Sequence, residues 1–263
     1  MDDSELLACL AADYGDLRDA ATTVELTTPV PSCPGWTVAD LVTHVAEVYL
    51  HKAAVIRTGQ WPRDWPRDWP PPGQAAEAPL APLARLGRAY GELRTEFSVR
   101  GASAPAPTWY EPDQTVAFWI RRMAQETVIH RIDAELAAGL PVTPVPDALA
   151  VDGVDEVLKL FLAYGSVNFP GGLARMPGEH LAGDDGLDTI VVAAGRTAWT
   201  VRPSPRAVSV ADGGSDQPRV TVTGAPQRVL GWLWGRAGDD AVALAGDPAW
   251  AGYLRRMLEA VTQ

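Results

Sequence analysis

The spacing of the apolar residues changes near residue 145, and this change restricts the possible folds more than any other feature of the chain. Before it, apolar residues recur every three or four positions, as on one face of a helix. The segments with this spacing cover residues 3–23, 37–57, 78–98 and 114–139. Prolines follow at positions 141, 144 and 146, and proline ends helices because it lacks a backbone donor. The sequence therefore predicts two domains, 1–145 and 146–263.

The two predicted domains belong to different structural classes. Four helices joined by connections that can reverse the chain favour an antiparallel bundle for the first domain. In the second, residues 148–164 predict one more helix. The segments DTIVVAAG, TAWTVRPS, AVSVAD and PRVTVTG then predict short strands separated by turns. GAPQRVLGWLWGR predicts a helix, VALAGD a strand, and the last segment a helix capped by Asp247. The expected fold class is α + α/β, a four-helix bundle followed by a small α/β domain.

The composition argues against two classes of partner. Asp and Glu number 33 against 22 for Lys and Arg, so the net charge is -11. A field of this sign repels nucleic acid and anionic membrane surfaces. The opening residues MDDSELL do not read as a signal segment, and no apolar run is long enough to span a bilayer. We therefore expect a cytoplasmic protein that binds neither nucleic acid nor membrane.

The segment WPRDWPRDWPPPG, at residues 61–73, is a tandem repeat of Trp-Pro-Arg-Asp. Its prolines are incompatible with a continuous helix, so a loop is predicted. The three tryptophans at 61, 65 and 69 could cover a pocket as a lid, or they could pack against the outside of the bundle. The second interpretation is favoured.

The histidines are few, and their spacing limits which of them can share a metal ion. They are His44, His51, His130 and His180. At about 1.5 Å per residue, His44 and His51 lie roughly 10 Å apart along the helix axis, whereas zinc holds each nitrogen at about 2 Å. These two cannot readily share one ion. Glu126 and His130 lie one turn apart on the fourth predicted helix, and in a bundle that face can meet the helix that carries His44.

A site of His44, Glu126 and His130 would hold a divalent metal with three protein ligands and leave one position open, as catalytic zinc sites do. Spacing alone favours the alternative, an ordinary charged face on which Arg122 pairs with Glu126 across one turn. Glu47 also has a histidine four residues later. Two-metal carboxylate bundles, however, use Glu and His at i, i+3 together with further glutamates.

The chain resembles the mycothiol-dependent maleylpyruvate isomerase family in three segments that together span nearly its whole length. They read PGWTVADLVTHVA, FWIRRMAQETVIHRIDAELAAG and VTVTGAPQRVLGWLWGRAG. The resemblance implies a DinB-like metal-binding four-helix bundle and a smaller α/β domain. It also implies that His44, Glu126 and His130 are metal ligands and that zinc, or another divalent ion, is the metal. His51 matches no position in the family's pattern.

The resemblance further implies a thiol-dependent reaction. A soft thiolate is a good zinc ligand, and coordination to a cation favours the deprotonated thiol. In the family this thiol is mycothiol, the low-molecular-weight thiol of actinobacteria. The thiolate would attack an electrophilic small molecule. The expected outcome is either cis-trans isomerisation of the maleylpyruvate type or S-transfer.

Three further residues are weaker candidates. Arg236 matches a Gly-Arg pair typical of the family, so the resemblance implies a catalytic or cofactor-binding guanidinium directed at a substrate carboxylate or at polar groups of mycothiol. A helix-cap position is an equal alternative for it. Asp133 could orient the His130 imidazole, but a salt bridge or a solvated charge is the favoured interpretation. Trp36 is expected to staple the start of its helix rather than to contact a ligand.

Two other functions remain open at the level of sequence. The first is a DinB-like metal-dependent transferase or hydrolase that uses another thiol or water. The second is a non-catalytic zinc-binding regulatory protein, which predicts a site closed by a fourth protein ligand.

Overall fold

The structure, a computed structural model, describes residues 1–62, 81–172, 183 and 188–262. Its contacts divide the chain into two units, Met1–Thr143 and Pro144–Gln263, whereas the sequence predicted a boundary after residue 145. The first unit is helical and the second contains a five-stranded sheet. The predicted fold class is therefore confirmed. The Trp-Pro-Arg-Asp repeat lies outside the described residues, except for its first two.

Four long helices build the first unit. They are α1 (Asp3–Thr22), α2 (Val38–Thr58), α3 (Pro82–Arg100) and α4 (Val116–Ala137). Helix α1 packs on α4 and α2 packs on α3, while α2 also meets α4. The last two run antiparallel, because His44 of α2 meets Glu126 whereas the later Lys52 meets the earlier Trp119.

The start of α2 is fixed by its cap. The N–H of Asp40 donates to Thr37 Oγ1 at 3.3 Å, and the N–H of Thr37 donates to Asp40 Oδ2 at 2.8 Å. This reciprocal pair is the predicted capping box, which satisfies two donors that a helix start leaves unpaired. Because the cap sets the first residue of α2, it also sets the face on which His44 stands.

Helix α4 is the central element of the bundle. Most of it is buried, including polar residues on more than one face. These are Arg122, Gln125, Thr127, His130, Arg131, Asp133 and Glu135. Burying a polar group without a partner is costly, so the fold must supply partners on each face of α4. Two clusters of such partners form, one towards α2 and one towards α1.

The second unit combines helices with a mixed sheet. Helix α5 (Asp147–Glu156) continues as a π-helical segment, Val157–Tyr164, and a short α6 (Gly165–Asn168). The remaining elements are β1 (Ile190–Ala194), β2 (Thr197–Pro203), β3 (Val208–Asp212), β4 (Val220–Gly224), α7 (Pro226–Leu233), β5 (Ala243–Gly246) and α8 (Pro248–Thr262).

The sheet has the strand order β3-β2-β1-β4-β5. Its central pair, β1 and β4, is parallel and the other pairs are antiparallel. The predicted helices and strands of this unit are present, but the sequence did not predict the π-helical turn within residues 148–164. None of the described helices combines the length and apolarity that crossing a bilayer requires.

Candidate metal centre

Three side chains from two helices converge at one point of the bundle. Glu126 Oε1 lies 3.1 Å from His44 Nε2 and 3.2 Å from His130 Nε2. The two imidazole rings meet edge to face with centroids 4.9 Å apart. One ligand atom from each residue lies within 4.8 Å of the other two. The i, i+4 spacing places Glu126 and His130 on one face of α4, and that face meets His44 of α2.

The two oxygens of the Glu126 carboxylate have different partners. Oε1 faces the histidines, while Oε2 accepts a hydrogen bond from the guanidinium of Arg122, which is 5 % exposed. Burial alone would raise the pKa of Glu126, but the charges of Arg122 and His130 outweigh it and hold the pKa well below its usual range. The Arg122–Glu126 pair predicted as the alternative therefore exists beside the three-residue cluster and does not replace it.

Asp133 fixes the orientation of His130. The imidazole Nδ1 donates to Asp133 Oδ2 at 2.9 Å, and the carboxylate is fully buried. Asp133 also accepts from the Ser32 hydroxyl at 2.5 Å and from the Cys33 thiol at 3.5 Å. Asp133 is therefore not a solvated charge, and its ion pair with His130 supports the orienting role that was disfavoured from the sequence. Because Nδ1 carries this hydrogen bond, Nε2 is the nitrogen directed at the cluster.

The charge state of His130 follows from the same neighbours. Burial lowers its pKa, but the Glu126 carboxylate and the hydrogen bond to Asp133 outweigh burial and raise the pKa to about 9. In the absence of a metal, the imidazole is consequently a cation at neutral pH, held between two carboxylates.

Access to the cluster differs among its members. The His44 side chain is 37 % exposed, whereas Glu126 is 15 % and His130 is 11 % exposed. The Trp36 ring lies 4.9 Å from the His44 ring and 6.3 Å from the His130 ring, measured between centroids. Trp36 therefore forms a wall of the cluster, in addition to its expected place before the start of α2. A ligand would approach on the His44 side.

The distances from Glu126 Oε1 to the two imidazole nitrogens are slightly shorter than those between two ligands of a small divalent ion. Nitrogen and oxygen ligands bind zinc at about 2.0–2.2 Å, so two ligands of a tetrahedral ion lie about 3.3–3.6 Å apart. The measured distances from Glu126 Oε1 to the two nitrogens are 3.1 and 3.2 Å. In the part of the chain that the structure describes, no fourth His, Cys, Asp or Glu joins the group.

The comparisons with known proteins agree with this architecture. The family model described as the mycothiol maleylpyruvate isomerase N-terminal domain matches residues 7–135. This range contains all three residues of the cluster. The N-terminal unit of the chain is therefore similar to this domain.

Two solved structures share the fold over both units. They are described as the mycothiol-dependent maleylpyruvate isomerase and a histidine-to-alanine mutant of it. The identities are 13% and 14%, the match covers 93% of this chain and 93% of each of theirs, and the TM-score is 0.57. No curated protein matches the chain significantly.

Arg236, the residue of the second unit that matches the family's Gly-Arg pair, terminates α7. Its N–H donates to the Gly231 carbonyl at 2.7 Å, and the Gly235 N–H donates to the Trp232 carbonyl at 3.1 Å. Gly235 has a φ of 71°, the left-handed conformation that this type of helix end requires. The Arg236 guanidinium donates to the Trp234 carbonyl at 2.6 Å. The structure thus confirms the helix-end position, and the role of the guanidinium towards a ligand stays a prediction.

His51 does not join the cluster. His51 Nδ1 accepts a hydrogen bond from Lys52 at 3.1 Å, and its ring lies 5.5 Å from the Trp61 ring. His180 lies outside the described residues. The contacts of Asp133 with Ser32 and Cys33, and the packing of Trp36 on His130, were missed because these partners are distant in sequence. The position of Asp133 three residues after His130, within reach on one helix face, was the signal for its possible orienting role.

Proposed function

We propose that His44, Glu126 and His130 hold a divalent metal ion and that the protein is a mycothiol-dependent isomerase or S-transferase. The observation that carries the proposal is the meeting of Glu126 Oε1 with two imidazole Nε2 atoms at 3.1 and 3.2 Å. Two imidazoles and one carboxylate are a donor set that suits zinc. The exposure of His44 leaves room for a ligand on one side of the site.

The chain's own residues prepare this site in three ways. Asp133 keeps the proton on Nδ1 of His130, so that the lone pair of Nε2 points inward once the second proton has left. Arg122 holds one oxygen of Glu126 and leaves the other directed at the histidines. Trp36 covers the histidine rings and limits the approach of water. When bound, a zinc ion would favour the deprotonated form of a thiol that reaches it.

Mycothiol is the proposed thiol because the solved structures that share the fold are named for their dependence on it. The substrate would be an electrophilic small molecule of the maleylpyruvate type. In both candidate reactions the sulfur forms a bond to an electrophilic carbon. In isomerisation the same bond breaks again after rotation about the former double bond, whereas in S-transfer it remains in the product.

We further propose that Arg236 binds a carboxylate of the substrate or the polar groups of mycothiol. Its backbone closes the end of α7 and its guanidinium uses one N–H for the Trp234 carbonyl. The guanidinium is always charged and has a planar fork geometry that suits a carboxylate.

Metal analysis and calorimetry test the proposed function. We expect the zinc-loaded protein to give a saturable heat with mycothiol, and His44→Ala to lose both stoichiometric metal and that heat. His51→Ala is the matched control, because it removes a histidine of the same helix outside the cluster, and it should keep both. Metal that is retained by both His44→Ala and Glu126→Ala would show that the site is wrong. Zinc-loaded protein that gives no heat with mycothiol would favour the hydrolase or the regulatory protein instead.

A further inference from the structure

Lys52 is a largely buried amine on α2, near the candidate metal centre but outside it. The chain has two lysines, Lys52 and Lys159. Lys159 forms ion pairs with Asp155 and Asp212 at 2.5 and 2.7 Å. Lys52 has no ion pair with any carboxylate of the described residues; its contacts are a histidine and two aromatic rings. A buried cation without a carboxylate partner is costly to the fold, which calls for a reason other than stability.

Among the described residues, the surroundings of the Lys52 amine leave two of its N–H donors without an acceptor. Nζ lies 3.1 Å from His51 Nδ1 and donates one hydrogen bond to it, since the His51 pKa is lowered to about 4 by burial and by the Lys52 charge. Nζ also lies 4.7 Å from the centre of the Trp119 ring and 5.9 Å from that of Trp61. An ammonium has three N–H donors. The rings stabilise the positive charge through their faces but offer no oxygen to the other two donors.

Lys52 lies along the same seam between α2 and α4 as the candidate metal centre. It follows His44 by eight residues, or about 12 Å along the helix axis, and Trp119 precedes Glu126 by seven residues. Helical side chains tilt towards the N-terminus, which brings the amine towards His44. Burial lowers the Lys52 pKa to about 8, and the charges of Glu126 and Arg122 also act on it, in opposite directions. The amine is therefore within electrostatic reach of the centre.

We propose that Lys52 binds a carboxylate of the electrophilic substrate, so that the enzyme selects small carboxylic acids. Trp119 forms the inner wall of this subsite, and Trp61, which is 42 % exposed, forms its outer wall. The carboxylate supplies acceptor oxygens for the two remaining N–H donors, and it neutralises a cation that has no carboxylate partner among the described residues. The inference rests on the proposed function, because it assigns the acid-binding group of that same site.

Calorimetry with an unreactive acid tests the subsite. The probe is succinate, a saturated dicarboxylate that a thiolate cannot attack, and the neutral counterpart is dimethyl succinate. Both are titrated into protein loaded with zinc and mycothiol, so that the thiol already occupies the metal's exposed side. We expect Lys52→Met and Lys52→Gln to weaken succinate binding by about tenfold to a hundredfold, the range of a hydrogen bond to a charged group. Binding of the diester should not change.

The controls separate this inference from the function on which it rests. Lys159→Met removes the other lysine, in the second unit, and should leave succinate binding unchanged. The heat of mycothiol binding, measured first on each variant, shows that the site is folded and loaded. Wild-type protein without that heat contradicts the proposed function. If the protein binds mycothiol, three results contradict the Lys52 inference. The wild type does not bind succinate, or both Lys52 variants bind succinate with an affinity within about twofold of wild type. In the third result, the substitutions weaken binding of the diester as much as binding of succinate.

Discussion

Helix α4 carries two buried polar clusters that differ in chemistry although they are neighbours in sequence. Towards α2 lies the cluster of His44, Glu126 and His130. Towards α1, Arg131 Nε lies 2.8 Å from Asp13 Oδ1, and Arg131 NH1 lies 2.8 Å from Glu135 Oε2. Adjacent residues of a helix point about 100° apart, so His130 and Arg131 face different neighbours.

The difference between the clusters indicates which one is available to a ligand. The Arg131 cluster contains its own cation, which is 0 % exposed and also donates to the Thr143 carbonyl at 2.9 Å. The place between the Asp13 and Glu135 carboxylates is therefore already filled by a fully buried side chain of the protein. In the His44 cluster one carboxylate oxygen and two imidazole nitrogens converge on one point, and His44 is 37 % exposed. The first cluster holds α1 on α4, whereas the second can accept a cation from outside.

The largest effect is expected from breaking the Arg131 cluster. Arg131→Met leaves Asp13 and Glu135 buried without their cation, so the free energy of unfolding should fall by about 3–5 kcal/mol. Denaturant unfolding of the metal-free protein measures it. The control is Arg88→Met, which removes a half-exposed pair with Glu92 and should cost less than about 1 kcal/mol. If Arg131→Met left the free energy of unfolding unchanged, the Arg131 cluster would not be the structural contact that distinguishes it from the His44 cluster.

How much of this comparison the sequence could predict depends on the range of the contacts. The i, i+4 pair on α4 and the capping box of α2 are local, so spacing showed that His44, Glu126 and His130 could meet, and the family resemblance made them the expected ligands. The burial of Asp133 depends on Ser32, about a hundred residues earlier, and no local pattern predicts it. The Trp36 wall and the unpaired Lys52 amine depend in the same way on how helices pack. Local spacing and the family resemblance therefore predicted the three residues of the cluster, whereas most of the groups that surround them needed the structure.

An intermediate effect is expected from the residue that the sequence misjudged. Asp133→Asn keeps the shape of the side chain but removes the charge that holds Nδ1–H of His130, so zinc affinity should fall by about 10- to 100-fold. Competition with a chelating dye measures it. Ser32→Ala is the milder matched change, because it removes a donor to Asp133 and leaves the carboxylate in place. Equal zinc affinity in Asp133→Asn and wild type would show that Asp133 does not act through His130.

The smallest expected effect, for each pH unit, is a change of metal affinity with pH. It also tests how the cluster of His44, Glu126 and His130 differs from the Arg131 cluster. The His130 pKa is raised from 6.5 to about 9 in the metal-free protein, so the imidazole is protonated at pH 7 and a metal must displace that proton. Zinc affinity should therefore rise about tenfold per pH unit from pH 7 towards 9 and level off above it. Calorimetry in buffers of different ionisation enthalpy should count about one proton released at pH 7.

The same raised pKa fixes the sign of the effect on stability. A folded-state pKa above the unfolded value of 6.5 contributes stability that is complete below pH 6.5 and is lost as the pH rises through about 9. The metal-free protein should thus lose this contribution in the pH range in which zinc binding gains strength. Asp133→Asn should lower the upper end of that pH range, because it removes a group that raises the His130 pKa. Zinc affinity that stays constant between pH 7 and 9 would mean that His130 is already neutral, and the cluster would then lack the bound proton that stands in for a metal cation.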